Sequence, residues 1–176
     1  MVAAPIEIDV WQGEIAELEV DALIVPANES LFMTAGPAAS VKRHGGEIVE
    51  RAAVDQGPIL SGGAVVSTGG VLAASYVIHT VAVGHDLRAD PDRLRAALAA
   101  AFDFVRPLQL RRVALTLLGT ERGAFTPEDS AAIVVPFLVA RRAEPDLLES
   151  VVIVTGSPAE TRAVVAALEH AQAEAG

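Results

Sequence analysis

Six short runs of apolar, mostly β-branched residues punctuate the chain: Ile6–Trp11, Val20–Pro26, Ala64–Thr68, Tyr76–Val83, Val113–Leu118 and Val151–Thr155. A strand with one face in water alternates polar with apolar. Stretches such as Leu23-Ile24-Val25 and Val151-Val152-Ile153-Val154 do not, and so need cover on both faces. Helices must supply that cover, which confines the chain to layered α/β architectures. The clearest helical pattern is Leu94, Leu98, Ala101, Phe102 and Val105, an i, i+4, i+7 stripe, and Val164, Val165 and Leu168 give a shorter one. The order reads β-β-α-β-β-α-β-α-β-α and predicts a mixed sheet with helices on both faces.

Helix starts are marked by a capping residue followed by proline at Gly36-Pro37, Asp90-Pro91, Thr126-Pro127 and Ser157-Pro158. Ser157 with Glu160 reads as a capping box, and Thr126 has Asp129 at the corresponding place. Pro136 falls inside a helical pattern and should kink it. Gln172 to Gly176 reads as a frayed tail.

The 176 residues suit one domain spanning 1–176, with its core from about residue 6 to about 170. Aromatics make up only 4%, so Ala, Val, Leu and Ile must build that core, with Trp11 and Tyr76 expected inside it. No apolar run approaches the roughly 18 residues of a membrane span, and Met1-Val2-Ala3-Ala4-Pro5 lacks the features of a secretory leader, so a cytoplasmic address is expected. There are no cysteines, and His44, His79, His85 and His170 show no ligand spacing; neither a metal nor a cofactor is expected. His79, within Tyr76-Val77-Ile78-His79-Thr80-Val81, reads as a hydrogen-bonded strand histidine. The net charge of −10 argues against nucleic acid as a partner, and no membrane partner is expected. It also means that an anionic ligand would depend on backbone amides and helix N-termini rather than on a basic patch. The oligomeric state is left open.

In layered α/β sheets, ligands sit beyond the carboxyl ends of strands. Three segments follow strands in this way: Ala27–Pro37, Gly84–Asp90 and Gly119–Pro127. The small residues of Gly119-Thr120-Glu121-Arg122-Gly123-Ala124-Phe125 allow a tight turn that aims successive N–H groups inward as an anion nest. The same segment also reads as an ordinary strand-to-helix turn, and Asn28, directly after a strand, as an ordinary turn asparagine. The sequence has no GxGxxG, Walker A, HExxH or GxSxG pattern.

Taken in order, these segments resemble the macrodomain family of ADP-ribose-binding modules from about Ile6 to about Leu168. Gly13-Glu14-Ile15 resembles the family's Gly-Asp-Ile, and Val20-Asp21-Ala22-Leu23-Ile24-Val25-Pro26-Ala27-Asn28 its Val-Asp-Ala-Ile-Val-Asn-Ala-Ala-Asn. Tyr76-Val77-Ile78-His79-Thr80 is similar to a strand typical of the family, and Leu118-Gly119-Thr120-Glu121-Arg122-Gly123 stands in the place of its second phosphate loop. The resemblance implies a three-layer α/β/α fold with a six-stranded mixed sheet and ADP-ribose, free or on a modified protein, across its top. It implies that Glu14 accepts from the adenine amino group while the Ile15 amide reaches a ring nitrogen. Asn28 would hold the distal ribose and serve as the catalytic residue. Met33, Thr34, Ala35 and Gly36 would cradle the diphosphate together with Gly119, Thr120, Glu121, Arg122, Gly123, Ala124 and Phe125, with Phe125 walling the distal ribose.

The departures lie in the same places. Val25 stands for the family's first Asn, and the four-glycine stretch becomes Met33-Thr34-Ala35-Gly36. Ala38 replaces an Asp that many hydrolytic members carry. Glu121 replaces a phosphate-loop glycine, and Thr155 and Ser157 lie where an adenine-stacking aromatic is common. Three functions are implied: a hydrolase of O-linked ADP-ribose, a module that only binds ADP-ribose or a related nucleotide, or a relative with another phosphorylated ligand. Glu121 is expected to turn to solvent while Arg122 offers the phosphate a cation.

Overall fold

The computed structural model describes residues 5–144 and 147–176; Met1–Ala4, read above for a leader, lie outside them. The strands are β1 (Glu7–Gln12), β2 (Ala22–Pro26), β3 (Ala64–Thr68), β4 (Tyr76–Thr80), β5 (Arg112–Thr116) and β6 (Ser150–Thr155). They form one sheet in the order β1-β6-β5-β2-β4-β3, with every neighbouring pair parallel except antiparallel β3–β4. The helices are α1 (Gly36–Gly45), α2 (Glu47–Val54), α3 (Pro91–Phe102), α4 (Pro127–Arg141) and α5 (Pro158–Glu174). None of them is long and apolar enough to cross a membrane.

The unbroken apolar character of β2 has a direct cause. Ala22 and Ile24 join a core with Leu94 and Leu98 of α3, Ala131 and Val134 of α4 and Val164 of α5. Leu23 and Val25 point the other way, into a second core with Val41 of α1 and Val49 of α2. The sheet therefore lies between a three-helix and a two-helix layer, as the side-chain period of two requires.

Asp90, Thr126 and Ser157 cap their helices as expected, accepting from Asp92 and Arg93, Asp129 and Glu160 N–H groups respectively. Other expectations need correction. Glu160 does not close the capping box on Ser157 but takes the Gly156 N–H at 2.7 Å. The single helix expected between β2 and β3 is two, broken at Gly46, whose φ of 96° a helix cannot continue. Gly36 is the first residue of α1 and Ala35 its cap. Helix α4 runs from Pro127 to Arg141 with Pro136 inside it; Pro136 and Ala132, whose carbonyl loses its partner, are both exposed, so water can serve that carbonyl. Helix α5 continues to Glu174, leaving a shorter tail. Val165 is exposed, so the terminal apolar stripe is narrower than read. Trp11 is 36% exposed, because β1 is an edge strand, and its indole lies against Gly13. Tyr76 is half-buried against the larger core.

Candidate functional site

The parallel strands end together, and two adjoining hollows of about 480 and 400 Å³ open beyond their carboxyl edge. The larger is walled by Gly13–Ile15 after β1, Thr116 and Leu117 at the end of β5, Val154–Gly156 at the end of β6, and Ser40 and Arg43 of α1. The smaller is walled by Ala27 and Asn28 after β2, Phe32, Thr34 and Ala38, and Val83–His85 with Leu87 after β4. Both share Pro26, Ala35, Glu121 and Arg122, so the junction of the two lobes is made by the start of α1 and the loop after β5.

The start of α1 suits an anion. Its cap is Ala35, which offers no side-chain acceptor, and its first turn holds no acid. Each of the other four α-helices has at least one. The first-turn amides and the positive end of the helix dipole therefore face the junction without a capping side chain or an acid of the helix's own. Gly36 enters the helix with φ of 59°, a left-handed conformation that explains why a glycine stands there.

The segment before it is anchored from below. Met33 is 3% exposed and its N–H donates to Glu50 Oε2 at 2.7 Å, while Lys42 Nζ donates to Glu50 Oε1 at 2.9 Å. Met33 lines neither hollow, and its amide is engaged by Glu50. Thr34, Ala35 and Gly36 are exposed and line one or both hollows.

The second loop is tight. The N–H groups of Gly123, Ala124 and Phe125 donate to the carbonyls of Thr120, Glu121 and Gly119. Gly119 and Gly123 have φ of 82° and 71°, and Arg122 is left-handed at 52°, a conformation that costs a non-glycine residue about 1–2 kcal/mol. Phe125 is 5% exposed and belongs to the larger core, its ring under Gly119. Thr120, Glu121 and Arg122 line the cleft, whereas Gly119, Gly123, Ala124 and Phe125 support them from behind.

Glu121 corrects the outward orientation expected of it. The side chain faces the junction of the lobes, and Oε2 is buried without a hydrogen-bond partner among the described residues. Burial raises its carboxyl pKa above the ordinary value, against the pull of the Glu121 and Gly119 backbone N–H groups. The physical reason is the turn itself: internal hydrogen bonds and three left-handed residues fold the chain back, so that residue 121 looks inward and the exposed Arg122 sits at the rim.

Glu14 is exposed and lines the larger lobe, but its Oε2 accepts from Ser40 Oγ at 2.6 Å, which ties it to α1. Ile15 buries its side chain and opens a 3-10 turn, so its amide has no acceptor within that turn. Asn28 is exposed in the smaller lobe, and its Nδ2 donates to Phe32 O at 3.0 Å. Ala38 is buried and presents only a methyl to that lobe. Thr155 is fully buried, with Oγ1 2.7 Å from Thr161 Oγ1, and Ser157 is occupied as the cap of α5.

Several lining residues escaped sequence reasoning. Ser40 and Arg43 lie one and two turns into α1, and nothing local separates them from solvent-facing helix residues. His85 sits in a segment singled out for following a strand; its Nε2 is 3.2 Å from Glu29 Oε2. His79 lies away from the cleft, as a strand histidine should. It is fully buried, with Nε2 2.8 Å from Ser67 Oγ, and burial lowers its pKa to about 4. Its Nδ1 lacks a partner among the described residues, so it is half satisfied rather than fully. No cluster of potential metal ligands occurs among the described residues.

A family model for the macro domain matches residues 24–134. An uncharacterized protein of Mycobacterium tuberculosis is 34% identical over 164 residues, covering 93% of this chain and 45% of that protein. The chain thus spans less than half the length of such mycobacterial relatives. The ADP-ribose glycohydrolase MACROD1 of Mus musculus is 30% identical over 135 residues, covering 75% of this chain and 42% of that protein. Among solved structures, the Trypanosoma brucei macrodomain in complex with ADP superposes with a TM-score of 0.85 at 18% identity, covering 92% of this chain and 69% of that one. That likeness establishes the fold alone.

Proposed function

This chain belongs to the macro domain family, and from that premise we propose that its two-lobed cleft recognises ADP-ribose and hydrolyses O-linked ADP-ribose from acidic side chains. The observation that carries the reading is the uncapped, acid-free start of α1 at the junction of two lobes. A diphosphate placed there sends an adenosine toward Glu14 and Ile15 and a ribose toward Asn28. The relative named as an ADP-ribose glycohydrolase lends the activity its support.

In the proposed reaction, water adds to the anomeric carbon of the distal ribose. The bond from that carbon to the ester oxygen breaks, the electron pair leaves with the carboxylate, and the water's proton passes to a phosphate oxygen or to solvent. A carboxylate leaves without being protonated, so the step proceeds without a side-chain acid. Ala38 supplies no base, which predicts slow turnover and restricts the chemistry to good leaving groups. Ala38 is also the observation that favours a second reading, a module that binds ADP-ribose without cleaving it.

Calorimetric titration with ADP-ribose tests binding. A single-turnover assay on ester-linked and arginine-linked ADP-ribosyl peptides then tests cleavage. We expect binding, slow ester cleavage and an intact arginine linkage. Binding without ester cleavage selects the second reading, and no binding up to millimolar ligand sinks both.

A further inference from the structure

Three carboxylates line the larger lobe, and two are engaged. Glu14 accepts from Ser40 Oγ, and Glu160 holds the Gly156 N–H. Glu121 differs. It stands at the junction shared with the smaller lobe, its Oε2 is buried with no partner among the described residues, and the backbone N–H groups of Gly119 and Glu121 bear on its carboxyl. Those amides belong to the loop that could otherwise nest an anion, while Gly123, Ala124 and Phe125 spend theirs within the turn. The chain has thus placed an anion of its own where a ligand's phosphate would come to lie.

We propose that Glu121 sets the affinity of the cleft for phosphate: its carboxyl occupies the anion seat of its own loop, so that a phosphate enters only when Glu121 gives up its charge. This rests on the ADP-ribose reading of the cleft. A unit charge about 5 Å from another in partly buried surroundings opposes it strongly enough to weaken binding by about 100-fold. Protonation removes that opposition, and the proton is then taken up with the ligand. Burial, which favours the neutral acid, makes the uptake easier. By linkage, affinity falls by up to about tenfold per pH unit between the pKa of Glu121 in the free protein and in the complex. ADP-ribose itself keeps a constant charge over this range, because its diphosphate is esterified at both ends.

The other charged groups sharing the two lobes are Arg43 of α1, Arg122 beside Glu121, Glu14, Glu160, and His85 with its neighbour Glu29. His85 is the group that could imitate the effect, since a protonated imidazole also favours an anion at low pH. A His85→Gln variant removes it.

The experiment is calorimetric titration of the whole chain with ADP-ribose from pH 5.5 to 8, in buffers of different ionisation enthalpy so that proton uptake is read directly. The parent and His85→Gln should both bind more tightly as pH falls and take up part of a proton. Glu121→Gln should take up none, lose that slope, and bind about 10- to 100-fold more tightly than the parent at pH 8. Should Glu121→Gln not fold, the slope and proton uptake in His85→Gln still decide the matter. Measurable binding without proton uptake in His85→Gln, or with equal affinity in parent and Glu121→Gln, overturns the proposal and leaves the ADP-ribose reading standing. Absence of binding at every pH, in the parent and in both variants, overturns both.

Discussion

Replacing Glu50 with alanine tests whether the first ligand loop is held from beneath rather than by its own sequence. Glu50 accepts the Met33 N–H at 2.7 Å and Lys42 Nζ at 2.9 Å, with its side chain 13% exposed. Removing the carboxyl strands the amide of a residue that is 3% exposed, at about 1–3 kcal/mol for an unsatisfied buried donor. Lys42 is less affected, because it is 26% exposed and Glu47 lies 3.6 Å away. Glu50→Ala should therefore cost about 2 kcal/mol, which lowers Tm by roughly 4–8 °C in a domain of this size. Burial disfavours the charged carboxyl of Glu50. Lys42 and the Met33 N–H outweigh that effect and hold its pKa below the ordinary 4.5. A carboxyl depressed on folding contributes its stability above the unfolded pKa and loses it as pH falls through the folded one. The gap in Tm between parent and variant should thus be complete at pH 7 and narrow below about pH 4.5. Differential scanning calorimetry at pH 7 and pH 3.5 reads both. An unchanged Tm at pH 7 refutes the anchor, and an undiminished gap at pH 3.5 refutes the charge-based account of it. ADP-ribose affinity should fall with the loop, and Glu50→Gln, which keeps an acceptor, should lose less of either.

Two further substitutions separate support from contact. Gly119→Ala forces a side chain into a backbone at φ 82° and sets its Cβ 2.6 Å from the buried Phe125 ring, so it should destabilise by about 2–3 kcal/mol in thermal denaturation; a silent change would show that this loop is not anchored on Phe125. Asn28→Ala should weaken ADP-ribose about fivefold, the equivalent of one hydrogen bond of about 1 kcal/mol, and slow ester cleavage by more than that. Equal affinity and turnover in variant and parent would take Asn28 out of the site.

What was legible in the sequence is what local chemistry decides. The two-faced burial of β2 was written in Leu23-Ile24-Val25, and the starts of α3, α4 and α5 in Asp90, Thr126 and Ser157, whose side chains cap amides two to three residues away. What failed depended on partners far along the chain. Trp11 is an apolar strand residue by any local measure, and its exposure follows from β1 lying at the sheet edge. The break at Gly46 looks locally like a glycine within a helix, yet the turn there brings Val71 N–H onto Gly45 O at 3.0 Å.

The site divides along the same line. Backbone features were legible only in part: the start of α1 falls at the cleft, but the Met33 N–H is taken by Glu50 and those of Gly123, Ala124 and Phe125 close their own turn. Side-chain direction was not legible, and Glu121 shows why. Solvation argues that a carboxylate between small residues on a loop should face water, and charge argues that it should avoid a phosphate seat. Both arguments treat the side chain as free to choose. In the folded chain the direction is set by backbone: three left-handed residues at 119, 122 and 123, closed by the Phe125 N–H to Gly119 O bond, turn residue 121 inward before its own preference enters. With Phe125 fixed in the core beneath, turning the backbone of residue 121 itself outward would break that closure. A carboxyl constrained in this way meets its desolvation either by taking a proton, which clears the way for a phosphate, or by drawing on nearby amides, which an incoming phosphate also needs.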